Sequence, residues 1–180
     1  MKRKLLFSCA LVLVAFLSVS CKEKKQISLP EQTLQEEKKV VDKDLAFDFT
    51  LKNLNSELVT LSSYRNKKPV ILFFWTTNCP FCRPELKKLN DLLPSLKKRG
   101  WEVLTIAIGE PFYKVENFIQ RSGYLLNVLL DEDASVADGY RLLGVPTFVL
   151  INKQGKVVFK DNVLPLEKID EFSATAPEAN

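Results

Sequence analysis

FFWTTNCPFCRPELKKL, residues 73–89, decides how the rest of the chain is read. An apolar run ends at Trp75, two cysteines follow with Pro80 and Phe81 between them, and a new spacing begins at Leu86. Backwards from Trp75, VILFFW (70–75) is continuously apolar, as in a strand buried on both faces. Forwards, Leu86, Leu89, Leu93 and Leu96 recur at steps of three and four, the mark of one helix face. Pro94 is expected to kink that helix and Gly100 to end it. Cys79 and Cys82 therefore stand between a buried strand and a helix.

Three readings of the pair compete: metal ligands, a structural crosslink, or a working redox couple. The chain has four cysteines and no histidine. A structural zinc site takes four ligands, and no second pair or histidine completes one here. The missing histidine also excludes a Ser-His-Asp triad and a Cys-His nucleophile. A crosslink across two residues closes too short a loop to add much stability. Redox chemistry suits the placement. At a helix start, free backbone N–H groups and the helix dipole favour thiolate, the nucleophilic form. Cys79 would attack a substrate disulfide and Cys82 would resolve the mixed disulfide. Pro80 suits a first helical turn, where its missing N–H is not needed. Phe81 offers a partner an apolar surface.

The elements alternate along the chain. AFDFTL (46–51) and ELVTL (57–61) read as two short strands, WEVLTIAI (101–108) as a buried strand and FYKVENFIQRSG (112–123) as a helix stopped by Gly123. NVLL (127–130) is a short strand and ASVADGYRLLG (134–144) is weakly helical. TFVLI, NKQGK and VVFK (147–160) form a hairpin, and PLEKIDEF (165–172) is a last helix with Pro165 near its start. Strands interleaved with helices imply an α/β domain with a mixed central sheet flanked by helices and an N-terminal β-hairpin.

The first 20 residues combine a basic start with an apolar stretch from Leu5 to Val19, short for a spanning helix and right for a secretory signal. Followed by Cys21, they resemble a bacterial lipoprotein signal, which would make Cys21 the lipidated first residue and remove Cys9. Ser18 stands where that signal usually has Leu, and an ordinary signal or an uncleaved anchor is the alternative. Removing Lys2, Arg3 and Lys4 takes the formal charge from +4 to about +1, which leaves no nucleic-acid footprint. Residues 21–44 are crowded with charges of both signs and read as a lipid-anchored tether. The folded domain is expected over 45–175.

Taken together, FFW before CPFC, the segment LLDEDASVADGYRLLGVPTFVLI and the turn NKQGKVV resemble the thioredoxin superfamily, in particular its TlpA/ResA-like membrane-tethered thiol–disulfide oxidoreductases. The resemblance covers residues 45 to about 172 and implies a thioredoxin-like fold. It implies a cis Pro146 facing the cysteines and a Val145 backbone that pairs with a substrate strand. Trp75, packed beside the site, joins Pro80, Phe81, Val145 and Pro146 as a substrate-binding candidate. Thioredoxin has a buried Asp six residues before its first Cys, where this chain has Phe73. Relatives lacking that Asp often carry a Glu three after the second Cys, and Glu85 stands there. It would oppose a second negative charge and accept the proton of Cys82.

The activity so implied is reduction of disulfides in exported proteins, as in cytochrome c maturation, at the extracytoplasmic (periplasmic) side of a membrane. Electrons would come from a membrane donor of the thiol-transferring kind, and neither cofactor nor metal is expected. Two alternatives remain. A peroxiredoxin-like thiol peroxidase shares Thr76 three before Cys79 but has Pro where this chain has Leu72. A docking lipoprotein would use the same fold with the pair incidental.

Overall fold

The computed structural model describes residues 44–174. The expected signal (1–20), Cys21 and all of the tether but residue 44 lie outside them, as does residue 175.

The elements, in chain order, are β1 (Thr50–Asn53), β2 (Leu58–Thr60), a 3-10 turn (Leu61–Tyr64), β3 (Val70–Trp75), α1 (Cys82–Lys98), β4 (Glu102–Ile108), α2 (Phe112–Ser122), β5 (Asn127–Asp131), α3 (Ser135–Gly139), β6 (Thr147–Ile151), β7 (Val157–Asp161) and α4 (Leu166–Ala174). One seven-stranded sheet carries them in the order β2-β1-β5-β4-β3-β6-β7. The pairs β3–β4 and β4–β5 are parallel, and the other four are antiparallel. This is the mixed-sheet α/β architecture read from the sequence, N-terminal hairpin included.

The apolar run of β3 works because alternate side chains feed two cores. Ile71, Phe73 and Trp75 join one cluster with the buried leucines of α1, with Val115 and Ile119 of α2, and with Ile169 of α4. Val70, Leu72 and Phe74 join the other, with Leu61, Val136 and Tyr140. Every residue of β3 is buried, so a polar residue on either face would lack a partner.

Two expectations shift, those for AFDFTL and for Pro80. AFDFTL does not pair as a strand before Thr50: the Ala46 amide donates to the Gly155 carbonyl at 2.9 Å, and Val157 donates to the Asp44 carbonyl at 2.8 Å. Residues 44–46 are thus tied to the β6–β7 hairpin, while the Phe49 carbonyl accepts the Leu61 amide at 3.1 Å just after β2. Pro80 lies in the turn before α1, because the helix begins at Cys82. Pro94 sits inside α1, which continues four residues past it to Lys98 before Gly100 adopts φ 83°.

Topology then gathers the site. β3 and β4 end side by side, Trp75 opposite Ala107. β6 runs antiparallel to β3 with Thr147 opposite Phe74, so Val145-Pro146 enters at that same edge.

Candidate active site

Cys79 and Cys82 form a disulfide at this edge, with Cα atoms 5.2 Å apart. Cys79 follows a turn in which its amide donates to the Thr76 carbonyl at 3.2 Å. Cys82 is the first residue of α1, and its amide, one of the helix's free N-terminal donors, meets the Cys79 sulfur at 3.1 Å. That contact would favour a thiolate on Cys79 after reduction. Cys79 is 8% exposed and Cys82 fully buried, so attack from solvent reaches Cys79 first.

The other predicted residues divide by exposure. Pro80 is exposed and Phe81 is 74% exposed, an apolar surface in the turn between the two cysteines. Val145 and Pro146 are half-buried, their peptide bond is cis, and Val145 packs against the cluster that contains both cysteines. Trp75, expected among the substrate-binding residues, is floor instead: no part of it is exposed, and it packs on Phe118 with ring centroids 5.3 Å apart. Its place in the buried strand, ahead of the loop that rises to Cys79, puts it beneath the surface a substrate would touch. Phe73 is buried and stacked on Phe148 at 4.3 Å, with no group there to take a proton. Glu85 is half-buried in the first turn of α1, where its Oε2 accepts the Leu164 amide at 3.4 Å.

Sequence reasoning missed Glu110. It is 6% exposed, just beyond β4. Its Oε2 accepts the Thr77 amide and its Oε1 the Thr77 hydroxyl, both at 2.7 Å. Lys114, one turn along, pairs with it at 2.6 Å. Burial acts to raise the carboxyl's pKa. The bonds from Lys114 and Thr77 outweigh it, and the group titrates below the usual carboxylate range. Glu110 thereby pins the loop two residues ahead of Cys79. A faint signal exists: an acidic residue two positions after an apolar strand, at the strand-end edge where α/β sites gather.

The AhpC/TSA family model matches residues 43–160. The chain belongs to the AhpC/TSA family. Within reach of this family member, the thiol-disulfide oxidoreductase ResA of Geobacillus kaustophilus is 39% identical over 110 residues, which cover 61% of this chain and 63% of that protein. The ResA of Bacillus thuringiensis subsp. konkukian is 31% identical over 124 residues, 69% of this chain and 70% of that one. The match to the Geobacillus relative thus spans under two thirds of its length. Among solved structures, the thioredoxin domain of a thiol-disulfide oxidoreductase from Bacteroides vulgatus superposes with a TM-score of 0.65 at 22% identity, over 72% of this chain and 95% of that domain. The fold of this AhpC/TSA member is thioredoxin-like.

Proposed function

We propose that the protein is a thiol–disulfide oxidoreductase that reduces disulfides of exported proteins outside the cytoplasm. The carrying observation is the bonded Cys79–Cys82 pair at the mouth of α1, with the Cys82 amide on the Cys79 sulfur. The resemblance to proteins named ResA supports the same chemistry.

In the reduced protein, Cys79 thiolate attacks one sulfur of a substrate disulfide. A mixed disulfide forms and the other substrate sulfur leaves as thiolate. Cys82 gives up its proton, with Glu85 as the proposed acceptor, and attacks the Cys79 sulfur. The Cys79–Cys82 bond forms and the first substrate sulfur leaves. Two electrons have passed to the substrate, and a membrane dithiol donor returns the pair to its reduced form. Pro80 and Phe81 meet the substrate from one side, and the Val145 backbone beside Pro146 pairs with its extended chain from the other. A lipid on Cys21 would hold the domain at the membrane, and apocytochrome c is one substrate class consistent with the ResA likeness.

The test is trapping. Cys82→Ser should accumulate mixed disulfides with partner proteins, while Cys79→Ser should not. Trapping only by Cys79→Ser would reverse the assigned roles, and equal trapping by both variants would remove them. A pair that cycles between redox states without turning over any disulfide would favour the docking alternative.

A further inference from the structure

On the α2 side of the cysteine pair an open groove of about 590 Å³ runs along the surface. Asn78 and Arg83, each one residue from a cysteine of the pair, stand on one wall, and Tyr113, Lys114, Arg121 and Tyr124 contribute from beyond. No carboxylate lines it. Lys114 is paired with Glu110, whereas neither Arg83 nor Arg121 meets a carboxylate at ion-pair distance among the described residues. Arg83 is positioned: its Nη2 donates to the Thr77 carbonyl at 3.3 Å and its guanidinium stands 6.0 Å from the Phe118 ring centroid. A planar cation held in place loses less freedom when it binds a carboxylate.

We propose that this groove selects substrates whose chain carries Asp or Glu within a few residues of the disulfide, an acidic peptide segment laid against Arg83 and Arg121. The inference rests on the thiol–disulfide reading and names its substrate class. A chain whose cysteine engages Cys79 continues past Asn78 or Arg83, and in this direction it meets the two arginines, a Lys114 whose charge Glu110 already offsets, and aromatic walls, with no acidic residue in the lining.

The experiment uses the full-length protein and two disulfide-looped peptides of equal length, one with two Glu beside a cysteine and one with two Gln. The ratio of their kcat/KM values is measured at low and high salt. Wild type should favour the Glu peptide about five-fold at low salt, and the ratio should fall toward one as salt screens the charges. The double variant Arg83→Gln/Arg121→Gln should show a ratio near one throughout. Lys98→Gln, at the far end of α1, removes a charge elsewhere and should keep the wild-type ratio. A wild-type ratio near one, or a ratio the double variant retains, overturns the proposal. If neither peptide turns over, the exchange reading itself fails. Binding of cysteine-free versions of the peptides, followed by fluorescence anisotropy, then judges the groove alone: arginine-dependent preference for Glu supports it and equal binding overturns it. Arginine-dependent binding to phosphatidylglycerol vesicles without any peptide preference would assign these cations to a membrane surface and overturn it as well.

Discussion

Glu110→Gln isolates what the buried carboxylate does for the cysteine loop. The wild-type side chain accepts two bonds from Thr77 at 2.7 Å and holds Lys114 at 2.6 Å. Gln keeps one carbonyl oxygen. With that oxygen on the Thr77 amide, the NH2 group donates to the Thr77 hydroxyl, so neutral bonds replace charge-assisted ones and Lys114 loses its carboxylate. Exchanging charge-assisted bonds for neutral ones costs about 1–2 kcal/mol. The lost ion pair adds at most about 1 kcal/mol, since Lys114 is partly in solvent. The expected loss is about 1–3 kcal/mol at pH 7, read as a lower urea midpoint for the oxidised protein at unchanged slope. Thr77→Val removes the hydroxyl bond alone and should cost about 1–2 kcal/mol. The double variant should cost less than the sum by about 1 kcal/mol, because both changes break the same contact. The pH dependence has a definite sign. A carboxyl whose folded pKa lies below its unfolded value of about 4.3 stabilises fully above that value and progressively less as pH falls through the folded one. The gap between wild type and Glu110→Gln should therefore narrow below about pH 4. A Gln variant within about 0.5 kcal/mol of wild type at pH 7, or a gap that persists in acid, would refute the clamp.

Two further outcomes can be checked. Under the role proposed for Glu85, a carboxylate that disfavours thiolate at the pair, Glu85→Gln should lower the Cys79 thiol pKa, followed by thiolate absorbance against pH, and make the Cys79–Cys82 potential less negative. A variant that titrates like wild type would leave Glu85 a first-turn helix residue whose Oε2 meets the Leu164 amide. Asp131→Ala should cost about 2–4 kcal/mol in urea unfolding, since its buried carboxylate accepts the Val136 amide at 3.1 Å and the Ala137 amide at 2.9 Å. Asp131→Asn, which keeps one acceptor, should cost about half as much, and equal losses would place the effect elsewhere.

The sequence by itself determined most of the elements and both sulfur positions. VILFFW matches β3 residue for residue, the leucine spacing traces the buried face of α1, and the Cys-Pro-Phe-Cys stretch falls between them. Such features are local: burial on both faces demands a continuous apolar run, and burial on one helix face demands a 3.6-residue period. Only the tertiary structure decided which distant residues meet. AFDFTL carries a strand's alternation, yet its first part is bonded to the β6–β7 hairpin, 109 residues on at Ala46 and Gly155. Thr77 and Glu110 lie 33 residues apart and touch because β3 and β4 are parallel neighbours ending at one edge. Arg83, in the first turn of α1, and Arg121, in the last turn of α2, line one groove although 38 residues separate them in the chain. Strand order is set by the joint packing of every apolar face against its neighbours, so no window of sequence carries it, and the groups that depend on strand order become visible only when the sheet is assembled.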